Sequence, residues 1–276
     1  MDQIPSIFLF SAGAAIIAVV GFSVVHRLVK PIDLEEHKGF LDAMLSIVGT
    51  LVSILLGLLV AAALTGYQSV EQSVDSEAAS VSEIYRLSLG LPQESKRKIQ
   101  DLCVRYCNQV LTDEWPAMAQ GHQSHKVLVT AALLIGEIAT LHPQNNGESN
   151  IHAALITAMQ QMGDCRRQRL LAMHSAWTRH LMPVLLMCSA IVLAFAYLYV
   201  RRGAVLHGVL ICLVAMALGG NLGLVFLLTN PFNGDWKIQP RGFELNNEIL
   251  KMLHDSPELK NSFPNERITT TTKNTK

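Results

Sequence analysis

Charge is scarce in this chain. Asp, Glu, Lys and Arg make up 16% of its 276 residues, 22 cations cancel 22 anions, and half of the sequence is hydrophobic. Charge so sparse, and so unevenly placed, excludes an ordinary soluble domain. Zero formal net charge, with no Lys/Arg cluster interleaved with aromatic residues, removes nucleic acid as a partner. Cysteine is also sparse, and its number is odd: Cys103, Cys107, Cys165, Cys188 and Cys212. Cys188 and Cys212 fall inside apolar runs. Cys103 and Cys107 stand four apart on one predicted helix, where they are neighbours on a face but poorly placed for a disulfide. A CxxxC pair supports neither a redox nor a zinc site, so these are read as small packing residues in a reducing compartment.

Catalytic signatures are missing as well. There is no Walker A loop, GxGxxG, GxSxG or HExxH. His122 and His125 lie three apart in a loop, but no third ligand or carboxylate stands near them in sequence, so no metal is assigned. No nucleophile, base and metal constellation can be named. The chain is therefore expected to be no enzyme and to need no cofactor.

What the sequence does have is long hydrophobic runs. Between Asp42 and Glu71 there is no ionisable carboxylate or amine, and about 20 apolar residues suffice for a helix to cross a bilayer core. Ala43 to Leu64 therefore reads as a membrane span. Few helix breakers follow before Pro92, so the same helix is expected to leave the membrane and open a soluble part. Ile4 to Val25 lacks the basic start of a signal peptide and reads as an uncleaved first span. Leu181 to Val200 and Val205 to Thr229 read as the third and fourth, joined by a hairpin at Arg201 and Arg202. Gly57 with Ala61, and Gly219 with Gly223, place small residues four apart, a spacing that lets helices approach closely. The expected fold is all-α: four transmembrane helices, two and two, with an all-helical soluble domain inserted between spans 2 and 3. The segments are 1–70, 71–180, 181–229, a post-membrane turn and short helix over 230–255, and a disordered tail over 256–276.

The insert is helical in pattern. After Pro92, Ile99, Leu102, Cys103, Tyr106 and Val110 recur at helical spacing on an amphipathic helix that should stop near Trp115 and Pro116. Val127 to Leu141 is apolar but short and contains Glu137, so it is expected as a buried core helix. Asn150 is a plausible N-cap for a helix carrying Ile151, Leu155, Ala158, Met162, Cys165 and Met173 as one stripe. Phe243 to Leu253 predicts one more short helix. Glu71, Asp75 and Glu77 form an acidic cluster where span 2 ends. Its plain reading is a solvated helix face; its functional reading, with several copies assembled, is a ring of carboxylates at a pore mouth. Arg166, Arg167 and Arg169 read as a basic collar near lipid phosphates. Counting Lys and Arg in the loops leaves the orientation open.

Several short phrases carry a resemblance. They are Leu56-Gly57-Leu58-Leu59 followed by Tyr67, then Glu77-Ala78, Tyr85-Arg86-Leu87 and Leu91-Pro92, then Arg166 with Arg169-Leu170, and finally Pro231-Phe232-x-Gly234. In this order they make the chain similar to the bestrophin-like group known as domain-of-unknown-function family 4239, itself a distant relative of bestrophin ion channels. The resemblance implies a pentamer whose second span lines a path for inorganic ions. The pore-facing positions would be Thr50, Ile54 and Leu58, which share one helical face. It also implies a multi-pass protein of the inner (plasma) membrane, with the helical domain and both termini cytoplasmic. The acidic run that binds calcium in animal bestrophins is missing after Gly234, so calcium gating is not implied. A non-conducting membrane scaffold, with a helical domain that binds a protein partner, is the competing expectation.

Overall fold

The computed structural model describes residues 6–28, 38–173, 177–198 and 204–256. All regular structure among them is helical. The expected hairpin at Arg201 and Arg202, the acidic connector with Asp33, Glu35 and Glu36, and the tail beyond Ser256 lie outside the described residues.

The chain divides into two units, each formed from two stretches: residues 1–71 with 171–238, and residues 72–170 with 239–276. The first holds the apolar helices. Helix α1 (Ser6–Leu28) is followed by α2 (Lys38–Leu87), a single 50-residue helix with no proline to break it, whose first half belongs to this unit. Helices α7 (Trp177–Leu198) and α8 (Ala204–Leu228) complete it. Among the described residues three segments are long and apolar enough to cross a membrane: Ser6–Val25, the run within Asp42–Gly90, and Val205–Leu228. The apolar part of α7, Leu181–Tyr197, is shorter. Four spans were expected, so the count rests on how α7 meets the bilayer, and about 17 residues is the lower limit for a span.

Ala18 and Phe22 of α1 bury against Ile211 and Ala215 of α8. The small residues expected to permit close approach do so here. A Cβ on Gly223 would lie 2.8 Å from Phe10 Cβ, and one on Gly219 would lie 2.9 Å from the Phe10 carbonyl. Val52, Leu56 and Ala63 of α2 form a second core with Leu185, Val225 and Leu228. Gly57 behaves differently, since a Cβ there meets nothing within 4 Å.

The second unit begins with the end of α2, capped by a 3-10 turn at Ser88–Gly90. Helix α3 (Gln93–Gln109) runs into a π-helical segment, Val110–Glu114, and then into α4 (Trp115–Met118). The helical path was expected to stop near Trp115. It continues because the wider π turn starts a fresh helix with Pro116 in its first positions, where a missing amide proton costs nothing. Helix α5 (His125–Ala139) buries Val127, Thr130, Ala131, Leu134 and Ile138 but exposes Leu128, Leu133 and Ile135, so it is a half-buried helix and not a fully buried one. Helix α6 (Asn146–Ala172) starts four residues before the expected cap. Asn145 Oδ1 accepts from the Glu148 amide at 2.8 Å while Glu148 accepts from the Gln144 amide at 2.7 Å, a reciprocal capping box that outcompetes Asn150. Helix α9 (Arg241–Asp255) buries Phe243 and Leu250, and the Phe243 ring lies 6.4 Å from that of buried Tyr106 on α3. Its start approaches α2 closely, where a Cβ on Gly242 would sit 3.1 Å from Ala78 Cβ. Asn246 Nδ2 then donates to the Ala78 carbonyl at 2.5 Å.

Candidate functional site

Helix α2 presents two different faces in the apolar unit. Val52, Leu56 and Ala63 are buried, whereas Ile54 is 57% and Leu58 65% exposed, with Ile47, Leu51 and Thr50 exposed beside them. Thr50 Oγ1 donates to the Ser46 carbonyl at 2.8 Å, which satisfies the hydroxyl without any other helix. The three positions expected to line a pore are thus uncovered by the helices of their own chain. Gly57 lies on α2 next to this edge and is exposed too.

A turn organises the end of α8. Gly234 has φ +85°, a conformation open mainly to glycine, and it lets the chain fold back so that the Ile238 amide donates to the Pro231 carbonyl at 2.8 Å. Pro231 and Phe232 are buried. Two latches fasten the turn. Tyr67 Oη donates to the Trp236 carbonyl at 3.0 Å, tying the turn to α2. Asp235 Oδ2 accepts from both the Ser6 amide and the Ser6 hydroxyl, at 2.7 and 2.6 Å, and so caps the first turn of α1. Those bonds, first from the hydroxyl and then from the amide, hold the Asp235 carboxyl below its usual range. The family phrases containing Tyr67, Pro231, Phe232 and Gly234 therefore converge on one latch, although Tyr67 is distant from the others in sequence.

The helical unit contains a buried charge cluster. Arg169, fully buried, donates from Nε and Nη2 to the two oxygens of Glu77 at 2.7 and 2.8 Å, and from Nη2 to Glu114 at 2.7 Å. Arg166 Nη2 donates to the other oxygen of Glu114 at 2.6 Å, and Tyr106 Oη to Glu77 at 2.5 Å. Two carboxylates and two guanidiniums balance. The Arg169 side chain also lies over the Trp115 and Phe243 rings, 5.7 and 6.0 Å from their centroids, distances at which a cation is attracted by a ring face. Burial alone would loosen the Arg169 proton, but the charge and hydrogen bonds of Glu77, with Glu114 beyond, outweigh it and hold the proton more tightly than usual. Burial, then the Glu77 charge, push the Tyr106 hydroxyl well above its ordinary range, so it remains a donor.

This arrangement corrects two expectations. Glu77 is not a pore-mouth charge or part of a solvated face, because its carboxylate is sealed against Arg169. Arg166 and Arg169 are not a lipid-facing collar; they continue the buried stripe of Leu155, Ala158 and Met162 at helical spacing, and only Arg167 is exposed, paired with Asp164. Glu71 remains exposed. Arg86 is exposed and bound only to Glu83 along its own helix, and Pro92 is the exposed residue before α3. Sequence reasoning missed Glu114. Its signal was its spacing of four from Val110 on the apolar stripe of α3, where a carboxylate needs a buried partner. Cys103 and Cys107 are buried packing residues, and burial holds both thiols above their ordinary range, the latter at about 12. Among the described residues no group of His, Cys, Asp and Glu is arranged to hold a metal.

A family model described as "Bestrophin-like domain" matches residues 12–243. Among solved structures the chain is similar to mutant forms of a bacterial bestrophin homologue from Klebsiella pneumoniae. One superimposes with TM-score 0.64 at 13% identity, covering 92% of this chain and 99% of that chain. Another gives 0.61 at 14% identity, covering 91% and 98%. A structure described as a membrane protein gives 0.62 at 12% identity, with 91% and 98% covered. At these identities the likeness is one of fold. No curated protein matches.

Proposed function

Because this chain belongs to the bestrophin-like domain family, we propose that it is a multi-pass membrane protein that assembles as a symmetric ring, a pentamer by resemblance, in which α2 lines an axial path for inorganic ions. The observation that carries this reading is the edge of α2 formed by Thr50, Ile54 and Leu58, exposed in the subunit while the opposite edge is packed. A ring of Ile54 and Leu58 side chains would narrow such a path and close it by dewetting. Of the acidic cluster Glu71 and Asp75 stay exposed, and Glu71 at the mouth favours cations. In this reading α7 is the third of four spans, lipid surrounds the apolar unit in the inner (plasma) membrane, and the helical unit and both termini are cytoplasmic.

Two apolar stripes on the helical unit favour assembly. Leu128 and Leu133 are exposed on α5, and Leu245, Ile249 and Met252 recur at helical spacing along the outer side of α9. Two unlike apolar surfaces on one subunit suit head-to-tail contacts, which close into rings. The same stripes are what a scaffold would use to bind a protein partner, so the readings separate at α2. Reconstituted Ile54→Ala protein should carry more ion flux into liposomes than the parent, with an unchanged elution volume in detergent. Equal flux from parent, variant and empty vesicles would leave the scaffold as the better reading, and a monomer in mild detergent would remove the ring.

A further inference from the structure

The face of α3 that meets α9 carries an excess of positive charge that nothing in the charge cluster uses. Residues 93, 96, 97, 100, 101, 104, 105 and 108 recur every three or four positions and so line one side of the helix for four turns. Two adjoining cavities open along that side, about 270 and 470 Å³ in volume, with Asp101 and His254 in the walls of both. Lys96 and Arg97 stand in the first, Arg105 and Lys251 in the second. Against these four cations the lining holds, among the described residues, one carboxylate, Asp101, which already faces His254 Nε2 at 3.2 Å. Asp255 is a further carboxylate near the groove, since burial first, and then the charges of Cys103, Asp101 and Asp255, raise the Tyr85 hydroxyl to about 12.

The cations are arranged to receive something negative. Neither Arg97 nor Arg105 has a carboxylate partner among the described residues, and both are exposed. Lys251 holds only a long bond of 3.3 Å to Asn108 Oδ1, which a stronger acceptor would displace. The Lys96 side chain is 4% exposed, and burial, with the neighbouring Arg97 charge, lowers its hold on its proton. Gln93 and Gln100 add amide donors to the first cavity, and Gln93 opens α3 after Pro92, which supplies no side-chain cap. The positive end of that helix dipole therefore lies at the same end of the groove.

We propose that the groove between α3 and α9 binds a small multivalent anion, of the phosphate or carboxylate class, held by Lys96, Arg97, Arg105 and Lys251. Bidentate guanidinium contacts to such groups are stronger than neutral hydrogen bonds, and each cavity pairs one arginine with one lysine, Arg97 with Lys96 and Arg105 with Lys251. The inference needs only the helical unit and does not depend on conduction.

Isothermal titration of the full-length protein in uncharged detergent tests it, with inorganic pyrophosphate and citrate as separate probes. At least one should bind, less tightly as NaCl is raised, and the Arg97→Gln/Arg105→Gln double variant should weaken it by roughly tenfold or more, having lost two charge-assisted contacts. The Arg97→Lys/Arg105→Lys variant, which keeps both charges but loses the planar fork, should bind more weakly than the parent and more tightly than the double glutamine variant. Whichever probe binds identifies the class recognised. No heat from either probe, or a double glutamine variant that binds as tightly as the parent, overturns the proposal. Both substitutions are on exposed side chains, so the thermal transition of each variant should match the parent.

Discussion

Arg169 illustrates what a single residue does in this protein. It neutralises two buried carboxylates that come from helices distant in sequence, and it is itself enclosed by two aromatic rings. Removing one member of a buried ionic group leaves the others uncompensated, at a cost of about 3–5 kcal/mol. Arg169→Met should lower stability by that order in a thermal or denaturant transition. Without Arg169, Glu114 keeps Arg166 but Glu77 keeps only the Tyr106 hydroxyl, so one carboxylate is left buried without a cation. A dependence on pH belongs to Asp235. Its carboxyl is held below the ordinary value of 3.8 by the bonds from Ser6, so the cap on α1 contributes fully above that value and is lost as pH falls through the lower folded one. Asp235→Ala should remove this acid-sensitive component, measurable as a flatter stability profile below about pH 4.

At the scale of elements, the glycines of α8 and α2 separate packing inside a subunit from packing outside it. Gly223 is buried against Phe10, and an added methyl group there must push the α1 side chain aside. Gly223→Ala is therefore expected to cost about 1–3 kcal/mol, the usual range for overpacking, read as a lower midpoint of unfolding in detergent. Gly57→Ala meets open space in the subunit and should leave that midpoint unchanged. Gly57→Leu, beside the Thr50, Ile54 and Leu58 edge, should instead reduce the amount of crosslinked oligomer if copies pack there. The amphipathic character of α3 and α9 was legible from spacing alone. The π turn was not, because it reflects how Pro116 and the buried Glu114 are accommodated together, and no local propensity records that.

For the molecule as a whole, the family and the likeness of fold to bacterial bestrophin homologues agree, and flux together with mass in detergent reads out the proposed ring and ion path. Apolar runs, proline positions and helical spacing were sufficient for the chain to declare its own helices, and that α1, α2 and α8 are long and apolar enough to cross a membrane. These are consequences of local composition: an apolar helix must find an apolar medium, and a break needs a residue that cannot donate or turn. Which charges meet was a different matter. Glu77 and Arg169 stand 92 positions apart, and an acidic residue at the end of a span reads the same whether it faces water or a guanidinium. Only tertiary packing decided that Glu71 stays open to solvent while Glu77 is sealed, because one is left outside the core of α2, α3 and α6 and the other points into it. The same packing turned three scattered basic residues of α3 and one of α9 into a single groove, since charge density depends on distance in space and not along the chain.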